Sequence, residues 1–257
     1  MIALITDFGH TDHYAGIMKG VIKGIHPSAD IVDISHSVFS FSVLNAQFIL
    51  QSSYRNFPNG TIFCVVVDPG VGTNRRCLIA RDHEYSFVLP DNGIISAIPS
   101  KTMSFYNINM NNFHGTSATF HGRDIFAPVS ARMDMGSEPS EFGYKTENPV
   151  QVKFPPFTLQ DKALEGFVVH IDHFGNIITS IPNKEIEIGS GLQYRVSTGS
   201  CKTGPVSCRT YGDIPEGATG ILHGSSGFIE ISMNRASAAM KCNAHIDGPV
   251  SIAYENC

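Results

Sequence analysis

Two acids stand where the chain would leave buried strands. Asp7 follows the apolar run Ile2–Thr6, and Asp68 follows Thr61–Val67. Each leads into glycine-bearing sequence, Phe8-Gly9 and Pro69-Gly70-Val71-Gly72-Thr73. A carboxylate at such a place is costly unless it is paired or hydrogen-bonded, and in open α/β sheets ligands sit at the carboxyl ends of the strands. Capping of the following turn or helix accounts for either acid without a ligand. His121 lies in Phe120-His121-Gly122-Arg123-Asp124, between a strand and a helix. A histidine there serves acid–base chemistry or simply holds a structural hydrogen bond, with Asp124 and Arg123 free to cap and pair. Asp172-His173-Phe174-Gly175-Asn176 reads as a turn between strands. Asp7, His10, Asp12 and His13 are metal-ligating types, yet Asp12 suits a helix N-cap and no H-E-x-x-H spacing occurs. Gly70-Val71-Gly72-Thr73 lacks the lysine and spacing of a Walker phosphate loop. Residue types alone give a small-molecule enzyme and leave its reaction open.

The elements that must position these groups follow from periodicity. Strands are expected at Ile2–Thr6, Ile31–Ser35 and Thr61–Val67. Between them Tyr14, Ile17, Met18, Val21, Ile22 and Ile25 recur at helical spacing, with Asp12 as N-cap and Pro27 as terminator, and a second helix spans about Val43 to Tyr54. This β-α-β-α-β order predicts a mainly parallel sheet flanked by helices. Further strands are expected near Cys77–Arg81, Tyr85–Leu89 and Phe105–Ile108, and a helix including Phe126–Met135 tolerates Pro128 only in its first turn. The proline-rich, polar stretch around Ser137–Phe157 reads as a linker. Beyond it Phe167–Ile171, Ile177–Ile181, Tyr194–Ser197, Gly220–His223, Phe228–Met233 and Val250–Tyr254 read as strands of a small antiparallel sheet or barrel.

The chain has 257 residues, a net charge of −5, and 18 basic against 23 acidic residues without a basic run. That argues against nucleic-acid and anionic-membrane partners. No apolar stretch is long enough to span a bilayer. A strand starting almost at Met1 leaves no room for a signal peptide. The six cysteines, Cys64, Cys77, Cys201, Cys208, Cys242 and Cys257, show no C-x-x-C spacing; they are expected as reduced thiols in a cytoplasmic protein.

Taken in order, Thr6-Asp7-Phe8-Gly9, Met18-Lys19-Gly20-Val21-Ile22, Val67 to Thr73, Pro90-Asp91-Asn92-Gly93, Phe120 to Asp124, Asp172 to Asn176 and Ser225-Ser226-Gly227-Phe228-Ile229-Glu230-Ile231 resemble the S-adenosylmethionine (SAM) hydroxide adenosyltransferases. These SAM hydrolases are relatives of the SAM-dependent fluorinase and chlorinase. The resemblance implies an α/β protein with an N-terminal mainly parallel α/β sandwich domain (1–145), a linker (146–160) and a C-terminal antiparallel β-barrel domain (161–257). It further implies a homotrimer in which SAM lies between the N-terminal domain of one subunit and the C-terminal domain of its neighbour. SAM is then the substrate, adenosine and methionine the products, and no cofactor or metal is required.

By position, the resemblance makes Asp68, Arg75 and His121 the group around an attacking water, with the adjacent Arg76 as the other candidate arginine. Asp7 would bind the ribose hydroxyls, Asn176 the adenine, and Asp172 and Ser225 the methionine portion. Glu230 is placed near the adenine, and Phe41 stacks on the ligand or packs as an ordinary aromatic. The fluorinase has a tyrosine where Asp68 stands, a halide-binding serine near Gly122, and an insertion that is missing between Thr73 and Pro90. A halide would be repelled by Asp68. Hydrolysis is therefore favoured over a chlorinase-like halogenase or a non-catalytic SAM- or adenosine-binding protein. Ser226 replaces a fluorinase arginine, and Ser180 an asparagine common after the barrel turn.

Overall fold

Short runs of Ile, Val, Leu and Phe that are buried on both faces form the centre of the first sheet. A computed structural model describes residues 1–160, 163–188 and 193–255, and the chain divides into two units, Met1–Lys153 and Phe154–Cys257. The first unit carries β1 (Ile2–Thr6), β2 (Ile31–Ser35), β3 (Ile62–Val66), β4 (Cys77–Arg81), β5 (Ser86–Pro90), β6 (Ser104–Ile108) and β7 (Gly143–Thr146). Their order across the sheet is β2-β1-β3-β5-β4-β6-β7. The pairings β1–β2, β1–β3 and β3–β5 are parallel, as the alternation with helices requires. Those made by β4, β6 and β7 are antiparallel. The sheet is therefore mixed rather than mainly parallel. Only the short turn at 82–85 joins β4 to β5, and a turn of that length permits only an antiparallel return.

Helix α1 (Tyr14–Ile25) buries Ala15, Met18 and Ile22. Its N-cap residue is His13, with no side-chain capping bond, so Asp12 does not cap it as expected. Helix α2 (Val43–Ser53) is capped by Ser42, whose Oγ accepts from the Asn45 N–H at 3.0 Å. A π-helical turn over Gly122–Phe126 runs directly into α3 (Ala127–Asp134), placing Pro128 in the first turn. Met18, Ile22, Ile125, Phe126 and Val129 pack with Leu4, Cys64 and Val66 of the sheet in one core. The ends of β1 and β3 and the start of the π turn are thus parts of one packed body.

The second unit comprises β8 (Thr158–Gln160), β9 (Ala163–Ile171), β10 (Ile177–Pro182), β11 (Gln193–Thr198), β12 (Cys201–Thr203), β13 (Val206–Ser207), β14 (Thr219–His223), β15 (Phe228–Met233), α4 (Ala238–Cys242) and β16 (Pro249–Glu255). Strand order is β12-β11-β16-β9-β10-β15-β14-β13, with β8 on β9. The sheet curls into a half barrel. Every pairing is antiparallel except β13–β14. Leu164, Val168, Ile177, Ile221, Ile229 and Ile252 fill its concave core. The polar stretch Ser137–Phe157 contains all of β7, and the linker expected at 146–160 takes in the last residue of β7 and the whole of β8.

Cys201 and Cys242 form a disulfide, which corrects the expectation of reduced thiols throughout. The two residues are 41 apart in sequence, so no local motif announces the pair. Only the fold brings β12 to the end of α4, with a Cα–Cα distance of 4.7 Å inside the range a bridge needs. Cys64, Cys77 and Cys208 are free and buried; Cys257 lies outside the described residues.

Candidate active site

Asp68 lies two residues beyond β3, and Arg75 two residues before β4. The loop between them folds back over itself. Gly72 sits at φ +76°, and a Cβ there would approach the Ala118 carbonyl oxygen to 2.4 Å, so this turn accepts only glycine. The folding-back carries Arg75 onto Asp68. Arg75 Nε donates to both carboxylate oxygens at 2.9 and 3.0 Å, and Nη2 donates to Oδ2 as well. Nη2 also reaches His121 Nδ1 at 2.7 Å, Nη1 reaches Cys77 Sγ at 2.8 Å, and the guanidinium lies over the Phe126 ring. Asp68, Arg75 and His121 are thus one contiguous and nearly buried group.

An arginine has donors only, so His121 Nδ1 must be the acceptor and its proton must reside on Nε2. Burial, and then the neighbouring guanidinium, push the His121 pKa below the ordinary histidine range, with Asp68 and Asp124 opposing. The arrangement holds a neutral imidazole. Burial is the largest influence and would by itself lower the Arg75 pKa, but the interactions with Asp68 and Cys77 together outweigh it and the shift is upward.

Arg76 points elsewhere. It pairs with the buried Asp91, Nε to Oδ2 at 2.6 Å, and donates to Thr146 Oγ1 and the Asn148 carbonyl at 3.1 and 2.7 Å. Asp91 Oδ1 accepts the Val150 N–H at 2.8 Å. Of the two arginines, Arg75 alone belongs to the acid–histidine group.

Asp68 and His121 line a cleft of about 280 Å³ whose walls also include Asp7, Asp12, Phe41 and Phe120. Asp7 leaves β1 and accepts the Phe41 N–H at 2.9 Å. Phe41 occupies the left-handed region at φ +68° and the residue is 72% exposed, beside the cleft and not packed in the core. Burial raises the Asp7 pKa against its backbone hydrogen bonds, and the charge of Asp68 adds to the rise. Phe8, Tyr14 and Phe120 form a mutually tilted aromatic trio on one side. The cleft's lining therefore presents three carboxylates, Asp7, Asp12 and Asp68, of which Asp68 is paired with Arg75. Such a site attracts a cation and repels an anion.

The remaining metal-type residues do other things. His13 stacks on Tyr14, with ring centroids 4.5 Å apart, and His10 stands edge-on to His36. Among the described residues, no group of three His, Cys, Asp or Glu side chains is arranged to hold a metal ion.

In the second unit Asp172 organises its own loop. Oδ1 accepts the N–H groups of Phe174 and Asn176 at 3.0 and 2.9 Å, and Oδ2 accepts Asn176 Nδ2 at 2.8 Å. Asn176 lines a cavity of about 600 Å³ with Phe174, Tyr211 and the segment 233–237. Ser225 is exposed on the turn before β15. Glu230 is buried, its pKa raised by burial, and accepts the Tyr211 hydroxyl at 2.7 Å. Asp172, Asn176 and Glu230 thus cluster on this unit, while Asp7, Phe41 and the Asp68 group cluster on the first. Sequence reading missed Tyr211 and His36. Tyr211 sits in a polar turn with no periodic or spacing signal; His36 directly follows the strand Ile31–Ser35.

Two family models cover most of the chain: the SAM hydroxide adenosyltransferase N-terminal domain matches residues 2–143 and its C-terminal domain residues 166–251. This chain belongs to the SAM hydroxide adenosyltransferase family. Within the family, the (R)-S-adenosyl-L-methionine hydrolase of Thermus thermophilus is 32% identical over 248 residues, covering 92% of this chain and 93% of that protein. The hydrolase of the same name from Salinispora arenicola is 29% identical over 93% and 92% of the two chains. The fluorinase of Nocardia brasiliensis is 25% identical over 95% and 93%. Among solved structures, an uncharacterised conserved protein from Thermotoga maritima superposes with a TM-score of 0.88 at 33% identity, over 98% of this chain and all of that one. The hydrolase relatives match this chain across both of its units.

Proposed function

We propose that the protein hydrolyses S-adenosylmethionine to adenosine and methionine, with Asp68, Arg75 and His121 holding the attacking water. The observation that carries this reading is their hydrogen-bonded contiguity on the wall of an acidic cleft. SAM is a sulfonium cation, which the carboxylates of Asp7 and Asp12 suit on a wall where Asp68 is already paired with Arg75. Water attacks C5′ in line; the C5′–S bond breaks, its electron pair returns to sulfur, and methionine leaves as a neutral thioether that needs no proton. The site must supply position and a destination for the water's proton. Because His121 Nδ1 is occupied by Arg75, its free Nε2–H donates to the water oxygen, and the carboxylate of Asp68 is the acceptor. Arg75 steadies both groups.

Asp7 is assigned to the ribose hydroxyls and Phe41 to the rim against which the ligand stacks. Asp172, Asn176, Ser225 and Glu230 are assigned to the remainder of the substrate, in a homotrimer whose active sites lie between neighbouring subunits. No cofactor or metal enters the reaction. No helix among the described residues is long and apolar enough to cross a membrane. A cytoplasmic location belongs to the same reading, and the Cys201–Cys242 bond is the feature that weighs against it.

The test is chromatography of SAM incubated with the purified protein, with and without chloride. Equal amounts of adenosine and methionine regardless of chloride support hydrolysis. A chloride-dependent 5′-chloro product would assign the chain to the halogenases. Unchanged SAM would leave a binding protein. Analytical ultracentrifugation tests the trimer.

A further inference from the structure

The direction in which Asp7 points is set by the turn that follows β1, and one histidine outside the cleft holds that turn from two sides. His36 is 2% exposed and lies just past β2, the parallel neighbour of β1. Its carbonyl accepts the Gly9 N–H at 2.6 Å, and two residues on the Val38 N–H returns to the Thr6 carbonyl at 3.2 Å. Its ring Nδ1 lies 2.9 Å from Thr6 Oγ1, and the same hydroxyl oxygen accepts the Phe8 N–H at 3.3 Å. Thr6 and Phe8 flank Asp7. Phe41, whose N–H fixes the Asp7 carboxylate, is five residues beyond His36 on the same segment.

The proton positions follow from the neighbours. His36 Nε2 lies 3.0 Å from Asp33 Oδ1, off the line of a good hydrogen bond, and Asp33 is also paired with Lys19. A bare Nε2 lone pair facing that carboxylate would be repelled, so the proton belongs on Nε2. Nδ1 is then an acceptor, and the Thr6 hydroxyl must donate to it. Thr6 is fully buried, so without this acceptor its O–H would be left unsatisfied, at the desolvation cost of a buried donor. Once the hydroxyl hydrogen points to His36, the Thr6 lone pairs face the Phe8 N–H. The turn carrying Asp7 is held in one conformation.

We infer that His36, through Thr6, is a positioning residue for Asp7, so that substrate affinity depends on a histidine that touches no ligand. The functional part of this inference rests on the reading of Asp7 as a substrate-binding residue. The positioning part does not, and the two are measured separately.

Amide hydrogen exchange reports the turn without substrate. In His36→Leu the N–H groups of Phe8, Gly9 and Phe41 are expected to exchange at least ten-fold faster, while those of β3 keep their rates. His36→Asn, whose Oδ1 can stand near the Nδ1 position, is expected to restore protection, and Thr6→Val to reproduce the loss. On SAM turnover, His36→Leu and Thr6→Val should each raise KM about ten-fold with kcat within about three-fold. Combining them should cost no more than either alone, because both break one link. Multiplicative effects in the double variant, or unchanged exchange at Phe41, would overturn the inference. If His36→Leu does not fold, Thr6→Val against Thr6→Ser makes the same comparison. Altered exchange in a protein that leaves SAM untouched would sink the functional reading and keep the positioning one.

Discussion

Arg75 Nη2 stands 2.7 Å from His121 Nδ1 while Nε of the same guanidinium is shared between the two oxygens of Asp68. One arginine thereby fixes both the tautomer of the histidine and the orientation of the acid. The pH dependence follows. The His121 pKa is lowered from its ordinary 6.5, by burial first and Arg75 second, so the unfolded chain takes up the proton before the folded one does. Stability from neutral His121 is complete above about pH 6.5 and declines as pH falls through the folded value. Activity should share this acid limb, since His121⁺ would face a guanidinium at hydrogen-bond distance. In a kcat/KM profile between pH 4 and 9, His121→Asn should remove the limb and lower the plateau by about 10²–10³-fold. A limb that persists in the variant would assign it to another group.

Asp68→Asn retains shape and removes charge. It leaves Arg75, with a side chain only 9% exposed, without its counter-ion, for which a loss of about 3–5 kcal/mol of stability is expected. Turnover should fall at least 10²-fold, the usual scale for losing a positioned proton acceptor. SAM binding by calorimetry should stay within a few-fold, because the lost group acts on the water. A variant that turned over SAM at the wild-type rate would remove Asp68 from the mechanism.

Asp7→Asn is expected to behave in the opposite way. The carboxylate already accepts one backbone N–H, and hydrogen bonds to a charged acceptor are worth about 1.5–3 kcal/mol each. Losing one from the substrate raises KM about ten- to hundred-fold with kcat nearly unchanged. Initial rates over a wide SAM range separate this from the Asp68 phenotype.

The residues to which the site is assigned were legible in part because they sit at strand ends, where a buried apolar run gives way to an acid. Asp7 and Asp68 announce themselves by that change in pattern. Choosing between Arg75 and Arg76 needs the fold. The two are adjacent in sequence, and only the return of the loop at Gly72 turns one toward Asp68 and leaves the other on Asp91. Strands such as Cys77–Arg81 and Phe228–Met233 were readable as apolar runs. Strands β8, β12 and β13 are two or three residues long, too short for any period to register. The expected Asp12 cap failed because the helix begins one residue later, which leaves that carboxylate on the cleft wall. His36 carries no sequence signal at all, since its role lies in a hydroxyl thirty residues away.

The disulfide has its own signature. Denatured protein titrated with a thiol reagent should show two fewer reactive thiols without reductant than with it. Closing a loop of this length contributes about 2–4 kcal/mol, so Cys242→Ala should lower the urea midpoint of unfolding. The Asp68 group lies on the other unit, and kcat should be unaffected where the variant is folded. Equal thiol counts under both conditions would show Cys201 and Cys242 to be reduced.

The arginine left over from the acid–histidine group gives the last test. Arg76 holds the end of β7 through Thr146 and the segment after it through the Asn148 carbonyl, while its partner Asp91 holds the Val150 N–H. The Asp91 side chain is 1% exposed. Arg76→Ala therefore leaves a buried carboxylate without its cation, at a cost of about 3 kcal/mol, and frees the backbone at 146–150. Limited proteolysis should cut the variant in that stretch under conditions that leave the wild type whole. Arg75→Ala should abolish turnover and leave 146–150 protected. Opposite phenotypes from neighbouring arginines would separate the chemical role from the structural one; identical phenotypes would mean that the loop between Asp68 and β4 acts as one unit and that the division of labour drawn from Gly72 is wrong.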